Sequence, residues 1–152
     1  MCRHVYDQAR RLVWSWTLSV YEIQKKGKNM YQRGYEQYKM QSVNTMTRGE
    51  MLLLLYDELI KRLTRAQIAL EDKNYDLFDR SVQRSREIVR YLDDTLNMEY
   101  HISYELRRMY EFFLFELSRL QAGRNAAVVD ELKPLVADLR DAFKEASKSA
   151  AV

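Results

Sequence analysis

The chain has 152 residues, of which 47% are hydrophobic and 31% are charged, enough of each for one domain with an apolar core and a solvated surface. Its net charge of +3 comes from residues 1–29, which hold six basic and two acidic groups and thus carry a net charge of +4. The remainder has 19 basic and 20 acidic groups, a net charge of −1. The body of the protein is therefore not basic, which argues against nucleic-acid binding. No apolar run reaches the roughly 18 residues needed for membrane insertion, and the lone cysteine, Cys2, agrees with a cytoplasmic location.

The first 46 residues are interpreted as two segments that precede the folded body. Residues 1–29 form an N-terminal extension whose apolar stretch follows two arginines, as in a signal peptide, but which has no small-residue cleavage site. Residues 30–46 carry several tyrosines at irregular spacing and are too irregular to form a stable helix alone. We expect this second segment to be a cap over an apolar groove.

The best-marked element is the first predicted helix, from about Arg48 to Glu71. Thr47 and Glu50 have the spacing of a capping box, in which each side chain accepts the other residue's backbone N–H. Apolar residues three or four apart then predict the buried stripe of this helix. The stripe consists of Leu52, Leu55, Tyr56, Leu59, Leu63, Ala66 and Leu70.

Two further helices are predicted after a turn at Lys73 and Asn74. The second helix runs from about Tyr75 to Asn97, and the third from about Ile102 to Ala122. The predicted inward residues of the second are Phe78, Val82, Ser85, Val89, Leu92 and Leu96. Those of the third are Ile102, Leu106, Met109, Phe113, Leu117 and Leu120.

A fourth helix completes the pattern. Gly123 is expected in the left-handed conformation that ends a helix, and Asn125 is expected to cap the next one. Pro134 should kink or interrupt this helix near Lys133. Its predicted inward residues are Val128, Leu132, Leu135, Leu139, Ala142 and Ala146. Four helices with short connections predict an all-α fold, an antiparallel up-down four-helix bundle over residues 47–148.

The residues that catalysis requires are sparse. His4 and His101 lie 97 positions apart, and neither has the spacing of a metal ligand with a cysteine or another histidine. The chain has no Glu-x-x-His motif, as in carboxylate-bridged metal bundles, and no glycine-rich phosphate loop. We therefore expect no enzyme activity, no metal and no cofactor.

Three helices carry more apolar residues than a four-helix bundle needs from each, which is about three in seven. The surplus must be covered by the chain's own N-terminal region, by a partner helix in a groove, or by the other helices around a central third helix. The candidate groove residues are Met51, Leu54, Leu55, Tyr56, Leu77, Ile88, Tyr91, Phe112 and Phe115.

Residues 38–60, with the sequence YKMQSVNTMTRGEMLLLLYDELI, resemble the start of the FliS family of flagellar export chaperones. That family shows a Ser-Val-x-Thr box and then Leu-Tyr-Asp at a fixed distance. The resemblance extends over about residues 31–147, including LDDTLNME at 92–99 and LRRMYEF at 106–112. The family's proline, alanine and glycine are replaced here by Arg48, Met46 and Glu58.

The resemblance implies that the chain binds the C-terminal segment of flagellin in the cytoplasm, prevents its premature polymerisation and escorts it to the flagellar type III export gate. By position, Tyr35 and Tyr38 correspond to the segment that docks at an export gate protein. The candidate groove residues then become flagellin contacts. We expect the chaperone to form a homodimer when it is unliganded. The alternative function is that of a structural or regulatory bundle that self-associates through the same apolar surface.

Overall fold

The computed structural model of the protein describes residues 46–150. Four α-helices occupy most of this stretch, and it contains no strand. They are α1 (Arg48–Glu71), α2 (Tyr75–Asp94), α3 (His101–Gly123) and α4 (Ala126–Ala150). The predicted all-α class is confirmed, while the N-terminal extension and all of the cap segment except Met46 lie outside the described residues.

The described chain falls into two units that divide after Met51. The described part of the first unit, residues 46–51, contains the start of α1 and its cap. The Thr47 N–H donates to Glu50 Oε2 at 2.8 Å, and the Glu50 N–H donates to Thr47 Oγ1 at 3.2 Å. Each side chain thus satisfies a backbone N–H that has no partner within the helix, and the predicted capping box is confirmed.

The second unit, from residue 52 onward, is the helical bundle. Arg140 Nη1 in α4 lies 2.9 Å from Asp57 Oδ1 in α1, and Gln67 Nε2 donates to Asp130 Oδ1 at 2.9 Å. Residues later in α1 therefore contact residues earlier in α4, as in antiparallel neighbours. The antiparallel pair α2 and α3 is linked in the same way, by Arg107–Asp93 at 3.2 Å and by Arg86–Ser118 at 3.1 Å. The predicted up-down bundle is confirmed.

Each helix buries one apolar stripe in the core. The stripes of α1, α2 and α3 largely follow the predicted positions, with Leu59 and Leu63, Phe78 and Val82, and Phe113 and Leu117 fully buried. Two tyrosines, Tyr56 and Tyr110, are also buried. Buried serines in α2 satisfy their hydroxyls on the preceding turn, as when Ser85 donates to the Ser81 carbonyl at 2.9 Å.

Four predicted inward residues are exposed: Ile102, Leu135, Ala142 and Ala146. Helix α4 carries two apolar stripes, and it buries the one that contains Val129, Leu132 and Val136. That stripe continues to Phe143, whose ring stacks on Tyr56 with centroids 5.6 Å apart. The helix thus buries the stripe with the aromatic residue, and the side with Leu135 and Ala142 is left outward.

The prediction that Gly123 ends α3 is wrong, and so is the predicted interruption of α4 at Pro134, whereas a kink there stays a prediction. Gly123 remains helical, and Arg124 takes the left-handed position with φ 48° and ψ 40°. The Arg124 N–H donates to the Leu120 carbonyl at 2.8 Å, and its guanidinium lies 4.0 Å from the centroid of the Tyr75 ring. Helix α4 runs through Pro134 without interruption. Asn125 caps α4 as predicted, accepting the Ala127 N–H at 3.0 Å.

Candidate protein-binding site

The outward side of α3 carries large apolar side chains. Phe115 is 61% exposed and Phe112 is 46% exposed, and Tyr104 is also exposed. Residues separated by three, eight and eleven positions lie on one side of an α-helix, so these three rings share a face. We call this surface, formed by Tyr104, Arg108, Phe112, Phe115 and Arg119, the α3 outer face. Rimmed apolar patches of this kind mark interaction sites on soluble proteins.

Arginines flank the rings along the α3 outer face. Arg108 precedes Phe112 by one turn, is largely exposed, and lies 3.7 Å from Glu105. Arg119 follows Phe115 by one turn, and its Nη1 lies 2.9 Å from Glu116 Oε1 and 3.0 Å from Oε2. The face therefore combines apolar rings with two ion-paired guanidinium groups, that of Arg108 between Tyr104 and Phe112 and that of Arg119 one turn beyond Phe115.

Helix α4, which packs beside α3, adds apolar surface of its own. Leu135 is exposed and Leu139 is half-buried. Because α3 and α4 are joined by only two residues, at 124–125, Leu135 and Phe112 lie at similar distances from the connection. Apolar side chains off the core stripe thus occur on both helices of this hairpin.

The structure separates the predicted groove residues into three groups. Met51, Leu55, Tyr56 and Ile88 are buried. Leu54, Leu77 and Tyr91 are half-buried, whereas Phe112 and Phe115 are exposed. A partner that docks on the folded bundle can therefore reach the last two groups directly. Flagellin contact by any of these residues stays a prediction, and Tyr35 and Tyr38 lie outside the described residues.

Sequence reasoning missed three members of the α3 outer face, Tyr104, Arg108 and Arg119. The spacing of Tyr104 to Phe112 and Phe115 was a signal available in the sequence. The burial of Glu116 had no such signal, because it depends on how α3 packs against its neighbours.

Tyr56, in the Leu-Tyr-Asp motif, joins three helices inside the bundle. Its hydroxyl forms a hydrogen bond with the Tyr110 hydroxyl of α3, and its ring stacks on Phe143 of α4. The pKa of Tyr110 is raised to about 12, mainly because the side chain is buried; the hydrogen bond to Tyr56 lowers this pKa and the nearby Asp93 raises it. Burial and the proximity of Tyr110 also raise the pKa of Tyr56. Both hydroxyls are thus protonated at neutral pH, where they serve as a structural junction.

Residues 46–150 contain neither the side-chain cluster of a metal site nor a membrane-spanning helix. No group of three or more His, Cys, Asp or Glu side chains within that range could hold a metal ion. None of the helices in the same range has the length and apolar character to cross a membrane. His101, the first residue of α3, is exposed.

Comparison with known proteins identifies the family. Residues 30–150 match the family described as flagellar protein FliS. The chain is also 30% identical over 118 residues to the flagellar secretion chaperone FliS of Bacillus subtilis (strain 168), in an alignment covering 78% of this chain and 89% of that protein. The matched region includes all four helices. The chain therefore belongs to the FliS family of flagellar secretion chaperones.

Proposed function

We propose that this chaperone binds the C-terminal segment of flagellin in the cytoplasm, keeps it from polymerising and delivers it to the flagellar type III export gate. The observation that carries the proposal is the exposure of Phe112 and Phe115 in a chain of this family. Such binding requires no catalytic group, in keeping with a family of chaperones.

The α3 outer face suits a helical or extended apolar segment. Phe112 and Phe115 are three residues apart, so their rings form neighbouring parts of one surface. A partner that lays apolar residues across both rings removes that surface from water. Aromatic side chains of this type carry a large share of the binding free energy in protein interfaces. Flagellin would be held in a form unable to polymerise because its own apolar residues are covered.

Calorimetry with a peptide of the flagellin C-terminal segment tests the proposal. We expect a one-to-one complex with the wild-type protein. Phe115→Ser and Phe112→Ser should each weaken binding by about tenfold, which corresponds to about 1.4 kcal/mol. Because both side chains are exposed, neither change should lower the melting temperature by more than a few degrees.

Ile68→Ser is the matched control, since Ile68 is an exposed apolar residue on α1 and is 51% exposed. It should leave peptide affinity unchanged. A wild-type protein that binds no peptide would contradict the proposal. If that protein instead forms a homodimer disrupted by Phe115→Ser, self-association through the α3 outer face becomes the better explanation.

Delivery to the export gate is a separate part of the proposal. It rests on the family resemblance around Tyr35 and Tyr38. Replacing both tyrosines by alanine should reduce binding to the export gate protein while flagellin-peptide affinity stays unchanged. Equal losses for both partners would indicate that these tyrosines contact flagellin or support the fold.

A further inference from the structure

We propose that Arg119 is a carboxylate-binding residue, positioned by the buried side chain of Glu116, and that the docked segment therefore carries an acidic residue beside its apolar ones. The inference rests on the proposed function, since it names the chemistry of the segment that the α3 outer face receives.

The position of Glu116 is the first observation. Its side chain is only 6% exposed, whereas that of Arg119 is 53% exposed. A buried carboxylate is unfavourable unless it is paired. Both oxygens of the Glu116 carboxylate accept hydrogen bonds from one nitrogen, Arg119 Nη1. These two hydrogen bonds hold the guanidinium of Arg119 in place through its Nη1 atom. They thereby restrain an exposed side chain that would otherwise move freely.

The remaining donors of Arg119 are the second observation. A guanidinium has five N–H donors in a planar fork. Within residues 46–150, the hydrogen bonds of Arg119 involve Nη1 alone, so its Nε and Nη2 edge makes none to that part of the chain. This edge has the geometry that binds a carboxylate through two parallel hydrogen bonds.

The location of Arg119 supplies the third observation. It follows Phe115 by four residues, or about 6 Å along the helix, on the same face. A segment that covers the phenylalanine rings will therefore pass within reach of the guanidinium. Covering the face also excludes water, which strengthens the hydrogen bonds of a carboxylate to the Nε and Nη2 donors of Arg119 and penalises those donors when they are left unpaired or face a basic group.

Titration calorimetry with the flagellin C-terminal peptide tests the inference on the full-length protein. We expect Arg119→Gln to weaken binding by about tenfold and to make the affinity less sensitive to salt between roughly 50 and 500 mM. A peptide in which every Asp and Glu is replaced by Asn and Gln should bind the wild-type protein about tenfold more weakly. The affinity of this peptide should not decrease further when Arg119 of the protein is replaced by glutamine.

Arg80→Gln is the matched control, because Arg80 is an exposed arginine on α2 that is also paired with an acidic residue of its own helix, Asp76, at 2.9 Å. It should leave the affinity and its salt dependence unchanged. Glu116→Gln tests positioning: it should weaken binding in the wild-type background and have no further effect in the Arg119→Gln background. The peptide with amide replacements tests the same contact without altering the protein.

The outcomes separate this inference from the proposed function. If the peptide binds the wild-type protein and Arg119→Gln leaves affinity and salt dependence unchanged, the carboxylate contact is wrong and the flagellin proposal stands. If the peptide shows no binding to the wild-type protein, the proposed function fails, and this inference fails with it.

Discussion

The hydroxyl groups of Tyr56 and Tyr110 hydrogen-bond to each other between α1 and α3, 54 positions apart in the sequence. Both side chains are buried, with at most 1% of either residue exposed. A buried hydroxyl without a partner costs free energy, so each tyrosine makes the burial of the other acceptable. The pair therefore favours one particular alignment of α1 and α3.

We predict that removing one hydroxyl is worse than removing both. Tyr56→Phe or Tyr110→Phe leaves the other hydroxyl buried without its described partner and should cost about 1–3 kcal/mol of unfolding free energy. The double replacement leaves two apolar rings and should cost less than the sum of the single changes. Urea unfolding of the four proteins measures this coupling, with Tyr100→Phe at an exposed position as the control. Strictly additive losses would contradict it.

A second prediction concerns alkaline pH. The pKa of Tyr110 is raised from 10.0 to about 12 in the folded protein, and the pKa of Tyr56 is also raised. Below pH 10 both residues are protonated in both states. Above pH 10 the unfolded chain releases protons that the folded chain retains, so stability should fall by about 1.4 kcal/mol per pH unit for each tyrosine.

The Tyr56→Phe/Tyr110→Phe double variant isolates this effect. Its stability should fall less steeply than that of the wild-type protein between pH 10 and 12, because neither replaced residue can release a proton. Urea titrations at a series of pH values give the two slopes. Parallel curves would mean that the tyrosine pair does not contribute to the alkaline loss of stability.

Local sequence signals predicted the helices well where they were strong and unambiguous. The capping box of Thr47 and Glu50 predicted the start of α1, and Asn125 predicted that of α4. The orientation of α4 was less predictable, because two apolar stripes run along it. The choice depends on contacts with distant residues, such as the stacking of Phe143 on Tyr56.

The candidate site was predictable only in part for the same reason. An excess of apolar residues indicated a binding surface, and Phe112 and Phe115 are indeed exposed. The same excess also included Leu55 and Ile88, which the bundle buries. Counting apolar residues cannot distinguish these cases, because all four are large and lie on amphipathic helices. Their separation depends on which side of each helix meets another.

We also predict that Pro134→Ala stabilises the protein. Pro134 lies inside the continuous helix α4 and is exposed. Proline in a helix interior removes one backbone hydrogen bond and crowds the preceding turn, at a cost of about 3 kcal/mol relative to alanine. The replacement should raise the unfolding free energy by up to about that amount, measured by urea unfolding. Ala137→Pro, at the next turn, should do the opposite, and no gain from Pro134→Ala would indicate that α4 has already adapted its local geometry.

The final prediction concerns Arg124, which has left-handed backbone dihedrals at the connection between α3 and α4. This conformation costs a residue with a Cβ atom about 1–2 kcal/mol, a cost that glycine avoids. The contact of the Arg124 guanidinium with the Tyr75 ring stabilises the fold by about 0.5–1 kcal/mol, which offsets part of this cost. Arg124→Gly should therefore change stability little in the wild-type protein, because it removes the strain and the contact together. In a Tyr75→Leu background, where the contact is already lost, the same replacement should raise the unfolding free energy by about 1 kcal/mol. Thermal and urea unfolding of the four proteins measure the difference, and an equal effect of Arg124→Gly in both backgrounds would show that the guanidinium–ring contact contributes nothing to stability.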